Sequence, residues 1–113
     1  MIAFPKTQYV RSKALMKAYR LIPCQHCGRD DGTVCGAHSN LMSDGKGRSI
    51  KSSDDKAASM CFKCHSKLDQ GSKLSKEERT TMHRDAHVKT VRELVRRGLW
   101  PLAIPVPDIR VFH

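Results

Sequence analysis

The sequence predicts a small α+β domain, and three observations predict it. A short, partly β-branched stretch at residues 33–38 is typical of a strand. Segments near residues 10–21 and 75–97 carry apolar side chains at helical spacing. Two C-x-x-C motifs lie between these helical segments. With 113 residues, the chain is expected to form one domain over residues 1–113, with a core at about 21–71.

The first predicted element is an amphipathic helix over residues 10–21. Its lysine and arginine side chains fall on faces other than the apolar one, and the helix is expected to end before Pro23. Its apolar face comprises Val10, Ala14, Ala18 and Leu21.

A strand and a long loop are expected next. The strand runs through residues 33–38 and ends at His38. Residues 39–55 are polar and glycine-containing, which predicts a loop with room for a short second strand at 48–51. Residues 56–69 are expected to become helical by the second cysteine pair.

The strongest helix signal lies towards the C-terminus. Ser75 with Glu78 three residues later is a capping-box signature, which predicts the start of a long helix. The tail at 98–113 contains three prolines, so we expect it to be extended and to pack through Trp100 and Leu102. The predicted buried stripe of the helix comprises Met82, Val88, Val91, Leu94 and Val95.

Composition and charge narrow the class of protein. Only 39% of the residues are hydrophobic and 5% aromatic, so the core is expected to be small. Additional stabilisation of the fold, such as a bound metal, is therefore expected. The net charge of +10 favours an anionic partner, either nucleic acid or an acidic membrane surface, although some basic proteins have no such partner. We find no apolar run of transmembrane length and no signal-peptide pattern at the N-terminus, so a cytoplasmic location is expected.

Four of the five cysteines have the spacing of metal ligands. Cys24 with Cys27 and Cys61 with Cys64 each form a C-x-x-C knuckle, and two knuckles complete a tetrahedral Cys₄ site for one structural Zn²⁺. Cys35 is then left over. The insert between the knuckles is longer than in a simple zinc ribbon.

Two other chemistries use the same motifs. A C-x-x-C pair also serves redox enzymes, although one pair suffices there. Cys64 followed by His65 makes C-x-x-C-H, the attachment signature of c-type haem, but that assignment leaves Cys24 and Cys27 unexplained.

The order of motifs resembles that of the HNH, or ββα-metal, nucleases, particularly small phage and prophage members. The resemblance is carried by G-A-H-S-N at residues 36–40, the glycine- and lysine-rich loop, and C-x-x-C-H-x-x-L-D at residues 61–69. It covers about residues 21–71. It implies a small ββα-metal domain on a zinc ribbon, flanked by an N-terminal helix and a long C-terminal helix, and a metal-dependent endonuclease that acts on DNA.

The resemblance and the chemistry assign roles to three side chains. His38 matches the family's general-base histidine, and an imidazole suits that role near neutral pH. His65 matches the family's helix ligand for a catalytic divalent ion such as Mg²⁺ or Mn²⁺. Asp69 lies at i+4 from His65, on the same helical face, and is inferred as a second ligand. The alternatives are a turn-capping role for His38, a helix-capping or zinc-supporting role for His65, and a solvated helix end for Asp69.

The sequence departs from the commonest HNH pattern at two places. Ala37 stands where many members have an acidic or histidine metal ligand, and the usual central asparagine is missing. Asp54 or Asp55 is expected to replace a ligand or to orient His38. His26 receives no functional role, and His83 and His87, four residues apart, receive none beyond adventitious metal binding.

Nucleic-acid contacts are expected from the basic loop. Lys46, Arg48 and Lys51 lie near His38 in the sequence, and such cations bind phosphate backbone, unless the loop is simply solvated. The basic face of the first helix and Lys73, Lys76 and Arg79 extend this surface. We expect duplex or branched DNA as the partner of a monomer or homodimer, and by family analogy a role in phage recombination or DNA processing. The alternative is a zinc-ribbon protein that binds DNA without cutting it.

Overall fold

The structure is a computed structural model that describes residues 10–39, 53–70, 73–107 and 109. Its secondary structure is mixed, which confirms the expected small α+β class. The helices are α1 (Lys13–Ala18), α2 (Phe62–Gln70) and α3 (Lys76–Arg96), and the strands are β1 (Cys35–Ala37) and β2 (Ala58–Met60). Short 3₁₀ turns follow α1 at Tyr19–Leu21 and precede β2 at Asp54–Lys56.

The two strands form an antiparallel pair, with Gly36 opposite Ser59 at its centre. β1 was expected, whereas β2 was not: its sequence Ala-Ser-Met has little intrinsic strand preference. All three residues of β2 are buried, so packing and not local propensity holds it extended. The expected second strand at 48–51 lies outside the described residues.

Helix α1 begins three residues later than predicted. The side chain of Ser12 caps it, its Oγ accepting the backbone N–H of Leu15 at 3.1 Å. Val10, predicted as helical, instead uses its backbone N–H to bond the Oγ of Ser53, at 2.7 Å. A long-range contact therefore replaces the first predicted turn. The chain leaves the helix before Pro23, as predicted.

Helix α3 confirms the capping box: Ser75 Oγ accepts the N–H of Glu78, and Glu78 accepts the N–H of Ser75. The buried face is centred on Ala86, Thr90 and Leu94, which are spaced four residues apart. Val95 lies at the margin of that face and is 46% exposed, so its predicted burial is wrong.

Of the two residues predicted to pack the tail, Trp100 does so and Leu102 does not. Trp100 is buried, and its indole N–H bonds the carbonyl of Ile104 at 2.9 Å. The N–H of Ile104 in turn bonds the carbonyl of Pro101. This turn places Leu102 at its tip, fully exposed, so the prediction that Leu102 packs is wrong.

Two apolar clusters make up the core of the described residues. One surrounds the hairpin and the cysteines and includes Leu68 and Met82. The other joins α1 to the end of α3 and includes Leu15, Tyr19 and Trp100. Of the helices described, none combines the length and the apolar composition that crossing a membrane requires.

Candidate metal and histidine site

The four knuckle cysteines come together, as their spacing predicts. The Sγ atoms of Cys24, Cys27, Cys61 and Cys64 all lie within 4.8 Å of one another, and Cys27 Sγ is 3.7 Å from Cys61 Sγ. A tetrahedral zinc with Zn–S bonds of ~2.3 Å requires S···S separations of about 3.8 Å. The cluster therefore fits a structural metal such as zinc, and Cys35 lies outside it.

Each knuckle is shaped by local backbone structure. In the first, Gly28 takes φ +83° and bonds the carbonyl of Cys24, which closes the loop. The N–H groups of His26 and Cys27 point at Cys24 Sγ, at 3.4 and 3.5 Å. Such donors stabilise a thiolate.

The second knuckle joins a strand to a helix. Cys61 directly follows β2, and Cys64 lies in the first turn of α2. The positive end of the helix macrodipole favours thiolate charge at this position. The knuckle thus fixes where α2 begins relative to the hairpin.

The protonation of the cysteines reflects their crowding. Burial acts to raise the pKa of Cys24, but the backbone hydrogen bonds from Cys27, Cys61 and His26 outweigh it and lower that pKa to about 6. Burial and its cysteine neighbours raise the pKa of Cys64 well above the usual range. A thiolate at one cysteine therefore disfavours ionisation of its neighbours, and a divalent cation among the sulfurs offsets this repulsion.

A second pair of functional groups lies at the other end of β1. His38 follows the strand directly, and its Nε2 is 2.8 Å from Oδ1 of Asp54. The His38 side chain is 20% exposed and that of Asp54 is 9% exposed. Of the two aspartates that the sequence indicated, Asp54 is therefore the one in contact with His38.

Asp54 is itself held by the segment before α1. Its Oδ2 accepts the N–H of Ser12 at 2.8 Å, and its own N–H bonds the carbonyl of Val10 at 2.8 Å. Its carbonyl accepts the hydroxyl of the buried Tyr19 at 2.6 Å. The guanidinium of Arg11 lies 3.8 Å from Oδ1. These contacts fix the carboxylate that faces His38.

His65 lies in a different pair. Its Nδ1 is 3.7 Å from the Sγ of Cys35, at the start of β1. His38 comes three residues after Cys35, which is about 10 Å of extended chain. The backbone of Asp69 lies in the last turn of α2, and its side chain is outside the described part of the structure.

Compared with known proteins, the chain matches no family model, no curated protein and no solved structure.

Two histidines that the sequence left without a role contact the hairpin from α3. His83 Nε2 is 2.8 Å from the carbonyl oxygen of Ala37, and His87 Nδ1 is 2.9 Å from that of Ala57. Their spacing of four residues within the predicted helix is the one signal that the sequence offers for them. No motif predicts a hydrogen bond to a particular strand carbonyl.

The basic loop residues Lys46, Arg48 and Lys51 lie outside the described residues, so their predicted DNA contacts stay predictions. The other expected cations are accessible: Lys73 and Lys76 are exposed and Arg79 is half-buried. The residues that line a cleft of about 260 Å³ include Cys35, Arg20 and Asp30.

Proposed function

We propose that this protein is a metal-dependent endonuclease of the HNH type, which hydrolyses DNA phosphodiester bonds and carries a structural zinc at its four clustered cysteines. The observation that carries the proposal is the 2.8 Å contact between His38 and Asp54 at the end of β1. A histidine oriented by a buried carboxylate is a recurrent arrangement for activating a nucleophile.

The pair assigns a role to each atom of the imidazole. An ionised carboxylate can only accept hydrogen bonds, so Nε2 of His38 carries the proton that Asp54 accepts. Nδ1 then bears the lone pair that takes a proton from the attacking water. Asp54 also stabilises the imidazolium that this transfer creates.

The proposal also includes a divalent ion held by α2, and the order of the elements supports it. An antiparallel hairpin is followed by α2, whose start is fixed by the cysteine cluster. On this proposal His65 and Asp69, four residues apart on α2, hold an ion such as Mg²⁺ or Mn²⁺. Such an ion stabilises charge on the phosphate and on the leaving oxygen.

DNA is the proposed substrate because of charge. The net charge of +10 and the exposed cations of α1 and of the start of α3 suit a phosphate backbone. Backbone contacts carry no sequence information, so the protein is expected to read DNA shape more than base sequence.

A cleavage assay tests the proposal. Wild type is expected to nick supercoiled plasmid only with Mg²⁺ or Mn²⁺, and parallel reactions with a four-way junction and single strands identify the preferred structure. His38→Ala is expected to abolish nicking while bound zinc and DNA affinity stay at wild-type levels, because the base is removed and the fold is not.

The matched control is His26→Ala. His26 is an exposed histidine in the first knuckle, and its substitution is expected to leave nicking unchanged. A fully active His38→Ala variant would remove His38 from the mechanism. Wild type that binds plasmid and never nicks it would support the non-catalytic DNA-binding alternative.

A further inference from the structure

His83 and His87 contact the strand pair at the end of β1 and at the start of β2. Ala37 is the last residue of β1, and Ala57 directly precedes β2. A carbonyl oxygen can only accept, so His83 donates from Nε2 to Ala37 and His87 donates from Nδ1 to Ala57. The end of β1 and the start of β2 are thus each bonded to α3 by one imidazole.

The spacing of the two histidines matches the spacing of the strands. Residues i and i+4 of an α-helix are separated by about 6 Å along its axis, and neighbouring strands lie about 4.8 Å apart. The two rings are nearly parallel, with an interplanar angle of 10° and centroids 6.4 Å apart. Two successive turns of α3 can therefore each serve one strand without distortion.

The tied positions are those from which the candidate base and its partner project. His38 is bonded to Ala37 through the chain, and Asp54 lies in the 3₁₀ turn that ends just before Ala57. β1 has only three residues, so its ladder alone holds its end weakly. A shift of Ala37 would pass directly into the 2.8 Å contact between His38 and Asp54.

We propose that His83 and His87 form a histidine clamp that sets the separation between the end of β1 and the start of β2, and that His83 is a positioning residue for His38. The catalytic part of this proposal rests on the proposed nuclease function. His83 carries the test because it is half-buried, whereas His87 is only 3% exposed and belongs to the core.

The test compares two substitutions at position 83. His83→Phe keeps a ring beside His87 and removes the N–H donor, whereas His83→Gln places an amide N–H near the position of Nε2. For His83→Phe we expect kcat to fall at least tenfold with KM and zinc content unchanged, because a small misplacement of a catalytic group is costly. His83→Gln is expected to recover most of that loss.

Nitrogen NMR of the imidazoles gives a readout that does not need activity. In wild type, His38 is expected as the Nε2–H tautomer bonded to Asp54, and His83 also as the Nε2–H tautomer. His83→Phe is expected to leave His38 as a mixture of tautomers, and His83→Gln to restore the single form. If wild type never cleaves DNA, the nuclease proposal fails, and the His38 tautomer still decides whether the clamp positions it.

Three results would overturn the proposal. The first is a His83→Phe variant with wild-type kcat and an unchanged His38 tautomer. The second is a loss of kcat that follows the loss of thermal stability and is not recovered by glutamine. The third is a wild-type His83 in the Nδ1–H form, because its Nε2 could then not donate to Ala37. This measurement needs no variant, so it tests the proposal even if His83→Phe does not fold. In that case the His38 tautomer in His83→Gln provides a second test.

Discussion

Asp54 joins more parts of the candidate site than any other single residue discussed above. Its carboxylate meets the imidazole of His38 and the N–H of Ser12, and its carbonyl meets the hydroxyl of Tyr19. The same residue that orients the candidate base therefore also attaches the start of α1. Catalytic and structural effects of changing it should appear together.

Asp54→Asn is expected to lower both kcat and stability. The amide can accept only through one oxygen, so it cannot satisfy the N–H of Ser12 and that of His38 equally. We expect a loss of at least tenfold in kcat and of about 1–2 kcal/mol in the free energy of unfolding, measured by nicking kinetics and urea titration. Asp55→Asn is the neighbouring control, and an Asp54→Asn variant with unchanged kcat would separate Asp54 from the mechanism.

Among single residues, the sequence identified those that belong to a motif. The cysteines and His38 stand in recognisable spacing, and the structure brings the four cysteines together as expected. The sequence narrowed the partner of His38 to two aspartates. It did not indicate the contacts of His83 and His87, because a bond to a backbone carbonyl depends on tertiary packing and leaves no pattern of residue types.

Helix α3 is the element that supports the hairpin from behind. Besides the histidine clamp, it supplies Thr90, whose Oγ1 accepts the N–H of Ser59 in β2 at 3.0 Å and donates to the carbonyl of Ala86. A buried strand of three residues thus receives a hydrogen bond from a helix. This support explains how Ala-Ser-Met can be extended.

Removing the cap of α3 is expected to weaken the whole domain. Ser75→Ala deletes the Oγ that accepts the N–H of Glu78, and a lost N-cap typically costs about 1 kcal/mol of unfolding free energy. Thermal or urea unfolding measures it. Thr81→Ala, which removes an exposed hydroxyl within the same helix, is the control. Equal stability of the two variants would mean that the cap contributes nothing measurable.

A side chain at the centre of β1 would clash with its neighbours. A Cβ added at Gly36 would lie 2.6 Å from Cδ2 of Tyr19 and 3.0 Å from Cε of Met16. Tyr19 is fully buried and its hydroxyl is bonded to Asp54, so the ring cannot move aside freely. Gly36→Ala is expected to cost about 1–3 kcal/mol in urea unfolding, and an unchanged midpoint would show that the contact yields.

The elements divide by the kind of information that specifies them. Helix α3 and its cap are specified by nearby residues, namely the Ser75–Glu78 pair and the helical spacing of the apolar side chains, and the sequence predicts both. The start of α1 and all of β2 depend on distant partners, namely Ser53 for Val10 and Thr90 for Ser59. Local pattern cannot supply such partners, so these elements were placed wrongly or missed.

For the molecule as a whole, the cysteine cluster is expected to carry much of the stability. A core this small gains its folding free energy partly from metal binding. Cys64→Ser is expected to lose the metal and to unfold or to melt at a much lower temperature, measured by metal analysis and thermal unfolding.

Cys35→Ser is the matched control, since Cys35 lies outside the cluster although it contacts His65. It is expected to keep full metal content and a melting temperature close to that of wild type. A Cys64→Ser variant that melts normally without metal would contradict a structural role for the site.

The cysteine cluster is unevenly covered, and this has a kinetic consequence. Cys24, Cys61 and Cys64 are buried, whereas Cys27 is exposed. A competing chelator therefore meets Cys27 first, and metal exchange can begin by detachment of that one sulfur while the hairpin stays folded. We expect loss of the metal to a chelator to be faster than unfolding of the metal-bound protein and to depend on chelator concentration, so that unfolding follows metal loss and does not precede it.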